Sequence, residues 1–318
     1  MDKMDKMDKC VYNIEDISLI HQLGRGSSGE VFLGEMHGKK YVIKKMDKYD
    51  DKILRTLKNE ITINKMIECK FPNLLCYRGC VDSSNHIYLV FDYIPNVVDM
   101  YNKYWKSDDY IDEEHVETLI SIMIDMAKAI ENIHSIGILH LDIKPENYLV
   151  NIKDRDYGSE ARSSEARSSE ARSPMAYLID YGYSCIMNED KLCITKYMIG
   201  TLTYMAPEMI NIKSSTRKIG TWTDIYSLGM VYYEFLSEDR TSPYEIGLHE
   251  LSRRDAFDKT VENVKSLKVP HISIGSYYGK FISDHIYNMV MLMIDKDIHK
   301  RPTIKQVISI LTMRNKDE

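Results

Sequence analysis

The 318-residue chain has no uninterrupted apolar run long enough to cross a bilayer, and its N-terminus lacks the apolar core of a secretory leader. A membrane protein and an exported protein are therefore not expected. Excess positive charge is missing too: 42 Lys and Arg stand against 48 Asp and Glu, a net charge of -6. With no strongly basic face implied, general nucleic-acid binding is not expected. Six cysteines, at positions 10, 69, 76, 80, 185 and 193, show no metal-ligand cadence and are sparse for a disulfide scaffold. They suit a reduced, intracellular, cytoplasmic setting. Cys76 and Cys80 lie four apart, but in a segment that reads as strand and turn, so no zinc site is expected there. The 44% hydrophobic content is enough for two modest cores.

Against that background the most informative stretch is His-Leu-Asp-Ile-Lys-Pro-Glu-Asn at 140 to 147. Phosphoryl transfer needs little covalent help from a protein; it needs a hydroxyl held in place and the charge of phosphates neutralised. An acceptor-only carboxylate, a cation and a metal-binding amide suit that task. Asp142 can accept from an incoming hydroxyl, Lys144 can meet a phosphate as a point charge, and Asn147 can offer its carbonyl oxygen to magnesium. The plain alternative is that Asp, Lys and Asn are ordinary residues of a proline-containing turn.

Further motifs follow the same theme. Gly24, Gly26, Gly29 and Val31 have the spacing G-x-G-x-x-G-x-V, and glycine lets a backbone come close to phosphates. A dinucleotide-binding loop would need a strand leading into a helix. Here both flanks, Ile17 to Leu23 and Glu30 to Glu35, read as strands. Tyr41 to Lys44 is an apolar strand ending in a lysine, which needs a partner; Glu60, on a helical segment, and Glu68 are acidic residues within reach along the chain. Residues 87 to 94 read as a buried strand running into a connector. An apolar period over about 112 to 135 predicts a helix. Asp180-Tyr181-Gly182, Gly200-Thr201, Met205-Ala206-Pro207-Glu208, Asp224 to Gly229 and His299 to Thr303 complete the set.

From about residue 17 to about 311 these motifs, in order, resemble the eukaryotic-type serine/threonine protein kinase family. The resemblance implies an α+β, bilobal protein-kinase-like fold with a small β-rich N-lobe and a larger helical C-lobe. Its divisions would be a low-complexity tail at 1–13, the N-lobe at 14–93, the C-lobe at 94–314 and a tail at 315–318. It implies ATP and Mg2+ as cofactors and protein substrates with Ser or Thr acceptors, and it is compatible with a monomer.

By the same resemblance Asp142 and Lys144 are catalytic, and Asn147 and Asp180 bind the metal. The ATP site comprises Leu23, Gly24, Gly26, Gly29, Val31, Val42, Lys44, Glu60, Phe91, Asp92, Ile94 and Leu149. Lys44 holds the α and β phosphates and pairs with Glu60. Phe91 gates the space behind adenine, and the backbone after it binds the base. For the apolar members core packing is an equally good and compatible reading. His140, Thr201, Glu208, Asp224 and Arg301 are structural supports: Asp224 holds the catalytic-loop backbone, and Arg301 closes a buried pair with Glu208. Lys144 and Thr201 favour Ser/Thr over Tyr specificity. Glu146 and Asp99 are acidic positions that could select basic residues near the target hydroxyl.

The chain departs from the family pattern at three points. Leu141 replaces the arginine that normally precedes the catalytic Asp and receives an activation-loop phosphate, so activity is expected to depend little on such phosphorylation. Thr195-Lys196-Tyr197 resembles a T-x-Y pattern but reads as solvated loop. Asn64 stands where an apolar residue usually holds the helix, and Tyr181 replaces Phe, adding a hydroxyl that needs a partner if buried. These departures keep open a kinase-fold scaffold without useful transfer; a small-molecule kinase is disfavoured by the intact Gly-Thr and Ala-Pro-Glu segments. Two repeats lie outside the pattern, Met-Asp-Lys over 1–9 and Ser-Glu-Ala-Arg-Ser over 159–173. The second, in an insertion at about 156–174, has too little apolar content to fold alone and reads as a surface loop.

Overall fold

A computed structural model describes residues 12–26, 29–49, 51–100, 113–151, 176–210, 216–237, 242, 244, 252–266 and 282–313. Both repeats, the insertion at 156–174, Cys10 and the side chain of Asp99 lie outside the described residues. The chain divides into two compact units, one comprising Met1–Pro95 with Ile179–Ser184 and the other Asn96–Leu178 with Cys185–Glu318.

The first unit is built on a five-stranded antiparallel sheet of order β1-β2-β3-β5-β4. The strands are β1 Ser18–Gly26, β2 Gly29–Met36, β3 Lys39–Asp47, β4 Tyr77–Asp82 and β5 His86–Asp92. β1 and β2 form a hairpin closing at the Gly26–Gly29 pair, as the flanking strand patterns imply. β2 returns into β3 through His37 and Gly38, both with positive φ (51° and 74°). That is the two-residue turn whose twist matches a hairpin. Alternation along β3 puts Val42, Lys44 and Met46 on one face.

Helix α1, Asp51–Ile67, buries Leu57, Glu60, Ile61, Asn64 and Ile67, a stripe at helical spacing. Met46, Leu57, Ile61, Leu75, Ile87, Leu89 and Phe91 form one buried cluster, with Val42, Tyr77, Ile94 and Ile179 packed against it.

The second unit contains β6 Val97–Asp99, β8 Tyr148–Asn151 and β9 Ala176–Leu178 in one small sheet. Two ribbons pair β7 Ile138–Leu139 with β10 Cys185–Ile186, and β11 Cys193–Thr195 with β12 Arg217–Ile219. Its helices are α2 Glu113–Ser135, α3 Pro207–Ile210, α4 Thr221–Leu236, α5 Arg253–Ser266, α6 Asp284–Met293 and α7 Ile304–Met313. α2 matches the expected helix, beginning within the described residues at Glu113. α4 is apolar nearly all round and buried throughout from Thr223 to Leu236, as expected of a helix at the centre of a unit rather than on its surface. Among the described residues no helix is long and apolar enough to cross a membrane.

The cysteines correct a sequence expectation. Cys69 pairs with Cys76 and Cys185 with Cys193 as disulfides, and none of the described cysteines is free. Spacing alone conceals this because each pair is brought together by a local reversal of the chain, over seven and eight residues. Among the described residues no group of three or more His, Cys, Asp or Glu could hold a metal ion.

Candidate active site

The first unit gathers one set of charges. Lys44 Nζ lies 2.9 and 2.8 Å from the two carboxylate oxygens of Glu60 and 3.4 Å from Asp180 Oδ1. Lys44 and Glu60 are buried, and each arrives there by its element's period, Lys44 on the core face of β3 and Glu60 one turn after Leu57 on α1. Burial lifts the Glu60 carboxyl to about 7, opposed by the nearby Lys44 charge. Burial acting alone would lower the Lys44 ammonium, but Glu60 and Asp180 outweigh it and its pKa ends raised. Glu68 is not the partner; its carboxylate meets Lys70.

Asp180 has a left-handed backbone, φ 64°, a conformation uncommon outside glycine and enriched at functional sites. The turn that follows is held by Asn59, whose Nδ2 donates to the carbonyls of Tyr181, Gly182 and Ser184 at 3.2, 3.1 and 2.7 Å. Motif reading passes over Asn59, because a single amide beside Glu60 carries no pattern. Tyr181 is buried, and burial pushes its hydroxyl well up, out of the titrating range. Asn64 is buried as well; its Nδ2 donates to the Glu60 carbonyl, while its Oδ1 has no partner among the described residues.

In the hairpin, a β-carbon at Gly24 or Gly26 would meet nothing within 4 Å. Packing among the described residues does not require glycine there. Val31 and Val42 are half-buried on β2 and β3, and Leu23 is exposed on β1. Phe91 is buried on β5 beside Tyr77, ring centroids 5.6 Å apart. Asp92 is engaged on two sides: its amide donates to the Cys76 carbonyl at 2.9 Å, and its carboxylate accepts from Arg78 Nε at 2.8 Å. Ile94 follows in the connector. Leu149, on β8, belongs to the second unit.

The second unit gathers the other set. Thr201 donates its hydroxyl to Asp142 Oδ1 at 2.7 Å and accepts from Lys144 Nζ at 3.0 Å. Lys144 Nζ also lies 3.3 Å from Asp142 Oδ2. Asn147 Nδ2 donates to the Asp142 carbonyl at 2.7 Å and to Asp142 Oδ2 at 3.2 Å. Its Oδ1 accepts no hydrogen bond among the described residues.

The loop carrying these groups is fixed from below. Asp224, fully buried at the start of α4, accepts the amides of His140 at 2.8 Å and Leu141 at 2.9 Å. Burial would raise this carboxyl, but His134, His140 and the Leu141 amide outweigh it and hold its pKa below the usual value. His134 Nε2 lies 2.8 Å from Asp224 Oδ2, a second contact that no sequence motif marks. Leu141 is buried with φ 65°. Glu208 and Arg301 form a two-pronged pair, Nη1–Oε1 2.8 Å and Nη2–Oε2 3.0 Å. Arg301 also donates to the carbonyls of Asp295 and Trp222 and lies over the Tyr226 ring.

A family model described as protein kinase domain matches residues 17–310. The chain belongs to the protein kinase domain family. Its α+β architecture is the bilobal kinase fold, with a β-rich N-terminal part and a helical C-terminal part, and membership implies ATP as phosphoryl donor and protein as acceptor. A protein of Acanthamoeba polyphaga mimivirus named as a serine/threonine-protein kinase is 29% identical over 270 residues, covering 81% of this chain and 80% of its own. The receptor-like kinase TMK2 of Arabidopsis thaliana is 28% identical over 235 residues, covering 72% of this chain and 23% of its own. The human serine/threonine-protein kinase MRCK beta is 26% identical over 230 residues, covering 70% of this chain and 12% of its own. The kinase domain thus spans about four-fifths of the viral relative but only a minor part of the plant and human ones.

Proposed function

We propose that this kinase domain is an active, Mg2+- and ATP-dependent serine/threonine protein kinase. The observation that carries the reading is the Thr201 hydroxyl bonded to both Asp142 and Lys144. It fixes the rotamers of a base and a cation that transfer requires to be positioned in advance.

In this reading Asp142 accepts the proton of the incoming hydroxyl, and Lys144 meets the transferring phosphoryl group. Lys44, set by Glu60, holds the α and β phosphates. The hairpin glycines admit the nucleotide, Phe91 limits the depth of the adenine site, and the backbone at Asp92 and Ile94 meets the base. Leu23, Val31, Val42 and Leu149 supply its apolar walls. The proposed metal-binding residues are Asn147 and Asp180. An amide carbonyl with no other bond to make and a carboxylate are hard oxygen donors of the kind Mg2+ takes in small number, the rest coming from phosphates and water. Bound there, Mg2+ neutralises phosphate charge. The Lys144–Thr201 bond supports Ser/Thr over Tyr acceptors. Action on proteins, as a monomer and without nucleic acid or membrane, belongs to the same proposal.

A non-catalytic scaffold draws on one observation, the orphaned Oδ1 of buried Asn64, which costs about 1–3 kcal/mol. Glu60, one turn away on the same helix, is nevertheless paired with Lys44 of β3, which supports the catalytic reading. The test is transfer from Mg-ATP to a mixed panel of proteins, followed by phosphoamino-acid analysis. Phosphoserine and phosphothreonine are expected. Phosphotyrosine would overturn the specificity, and ATP binding without transfer would favour the scaffold.

A further inference from the structure

Asn59 lies one residue before Glu60 on α1, and three backbone carbonyls of the same unit converge on its side-chain amide. Its Nδ2 lies 3.2 Å from the Tyr181 oxygen, 3.1 Å from that of Gly182 and 2.7 Å from that of Ser184. An amide nitrogen carries only two hydrogens, so the three acceptors share two protons and the turn closes round one atom. Thr56, three residues earlier on the same stripe of the helix, flanks it. A β-carbon at Gly182 would lie 3.3 Å from Thr56 Cβ, so the turn is seated closely on α1.

The effect of this grip reaches Asp180 through a single peptide plane. The Tyr181 carbonyl and the Gly182 amide belong to one peptide unit, which is planar and trans, so they point in opposite directions. Asn59 holds the carbonyl end. The amide end donates to Asp180 Oδ1 at 3.4 Å, the oxygen that also faces Lys44 Nζ at 3.4 Å. Fixing the carbonyl therefore fixes the amide against the carboxylate. Asp180 itself keeps a left-handed backbone, φ 64°, a conformation that persists in a non-glycine residue only where its surroundings over-determine it. The Lys44–Glu60 pair joins β3 to α1 directly and does not run through the turn.

We propose that Asn59 is a positioning residue for the metal-binding carboxylate. By holding the turn after Asp180, it sets the affinity of the nucleotide-bound protein for a divalent cation. The proposal rests on the reading above in which Asp180 binds Mg2+. Asn59 acts through the Tyr181–Gly182 peptide unit, as an outer partner of a metal ligand, and such partners are worth about 10–100-fold in metal affinity or activity.

The test uses the full chain saturated with a non-hydrolysable ATP analogue. Mn2+ is titrated in, and its binding is followed by loss of the free-ion electron paramagnetic resonance signal. Wild type is compared with Asn59→Leu, which keeps the side chain's size and removes its donors. The Mn2+ dissociation constant is expected to rise by about 10-fold or more, with affinity for the metal-free analogue in EDTA unchanged. A change below about twofold in a folded variant overturns the proposal, because a purely structural role lowers stability and leaves metal affinity per folded molecule as it was. A matching loss of metal-free nucleotide affinity overturns it too, since Asn59 would then shape the site as a whole.

If Asn59→Leu does not fold, the wild type decides. Coupling is reciprocal: if the Asn59 bonds favour the metal, the metal favours the bonds. Hydrogen exchange of the Asn59 side-chain amide, read by NMR on the nucleotide-bound wild type, should slow when Mg2+ is added; an unchanged rate overturns the proposal. Failure of the wild type to bind Mn2+ would remove the Mg2+ assignment itself and this proposal with it. Equal binding by wild type and Asn59→Leu removes the proposal alone.

Discussion

A β-carbon at Gly200 would lie 2.2 Å from the carbonyl oxygen of Leu141, on a backbone whose φ is +101°. Neither partner can move away, since the Leu141 amide is held by Asp224 and Thr201, next to Gly200, is bonded to Asp142. Gly200 is thus the residue that lets the activation segment approach the catalytic loop closely enough for Thr201 to bridge Asp142 and Lys144. Gly200→Ala is expected to lower kcat by about 100-fold, the scale of a displacement near 1 Å at a reacting group. ATP affinity, measured by titration calorimetry, should hold. A variant with wild-type kcat contradicts the assignment.

Glu60 predicts a pH dependence. Its carboxyl titrates at about 7 in the folded protein against 4.5 in the unfolded chain, because burial disfavours the charge more than Lys44 restores it. The folded state therefore binds more protons in that window. The stabilising contribution of this group is complete below pH 4.5 and is lost as pH rises through about 7. Urea denaturation of wild type and Glu60→Gln from pH 4 to 8 should show wild type losing stability relative to the variant over this range. Parallel curves would remove Glu60 as the cause.

Arg301 and Glu208 predict a stability effect without a chemical one. Arg301→Ala removes a fully buried side chain that holds Glu208 through two bonds. Breaking one member of such a pair costs about 3–5 kcal/mol. Chemical denaturation should show that loss, with residual activity per folded molecule preserved; a change below about 1 kcal/mol contradicts it.

Leu141 predicts that phosphorylation of the activation segment does not control the chemistry. With a leucine ahead of Asp142, the loop lacks the arginine that normally receives an activation-segment phosphate, and kcat should change by less than about twofold on phosphatase treatment. A large loss of kcat would show that the phosphate signals to the loop by another route.

Much of this site is legible in the sequence because its chemistry demands particular residues at fixed spacings. Asp142, Lys144 and Asn147 share one loop, and the glycine spacing of the hairpin is readable between two strand patterns. Lys44 and Glu60 lie on elements whose periods turn both inward. What escapes is set by contacts that cross the sequence. Asn59 gripping the carbonyls of 181, 182 and 184 and His134 beneath Asp224 are single residues in unremarkable contexts, each given meaning by a partner far along the chain. The cysteines escape for a related reason. Six thiols without a cadence read as free, yet two pairs close over local reversals that residue counting does not describe.

The central claim, that Asp142 and its hydrogen-bonded neighbours perform phosphoryl transfer, is tested most directly with labelled ATP. Magnesium-dependent incorporation of the γ-phosphate into a panel of proteins is compared between the wild-type chain and Asp142→Asn, with ATP binding measured for both. The account predicts transfer to Ser or Thr by the wild type, at least about 100-fold less by the variant, and equal ATP binding. Binding of ATP by both proteins with transfer by neither would contradict it and leave a kinase-fold scaffold in its place.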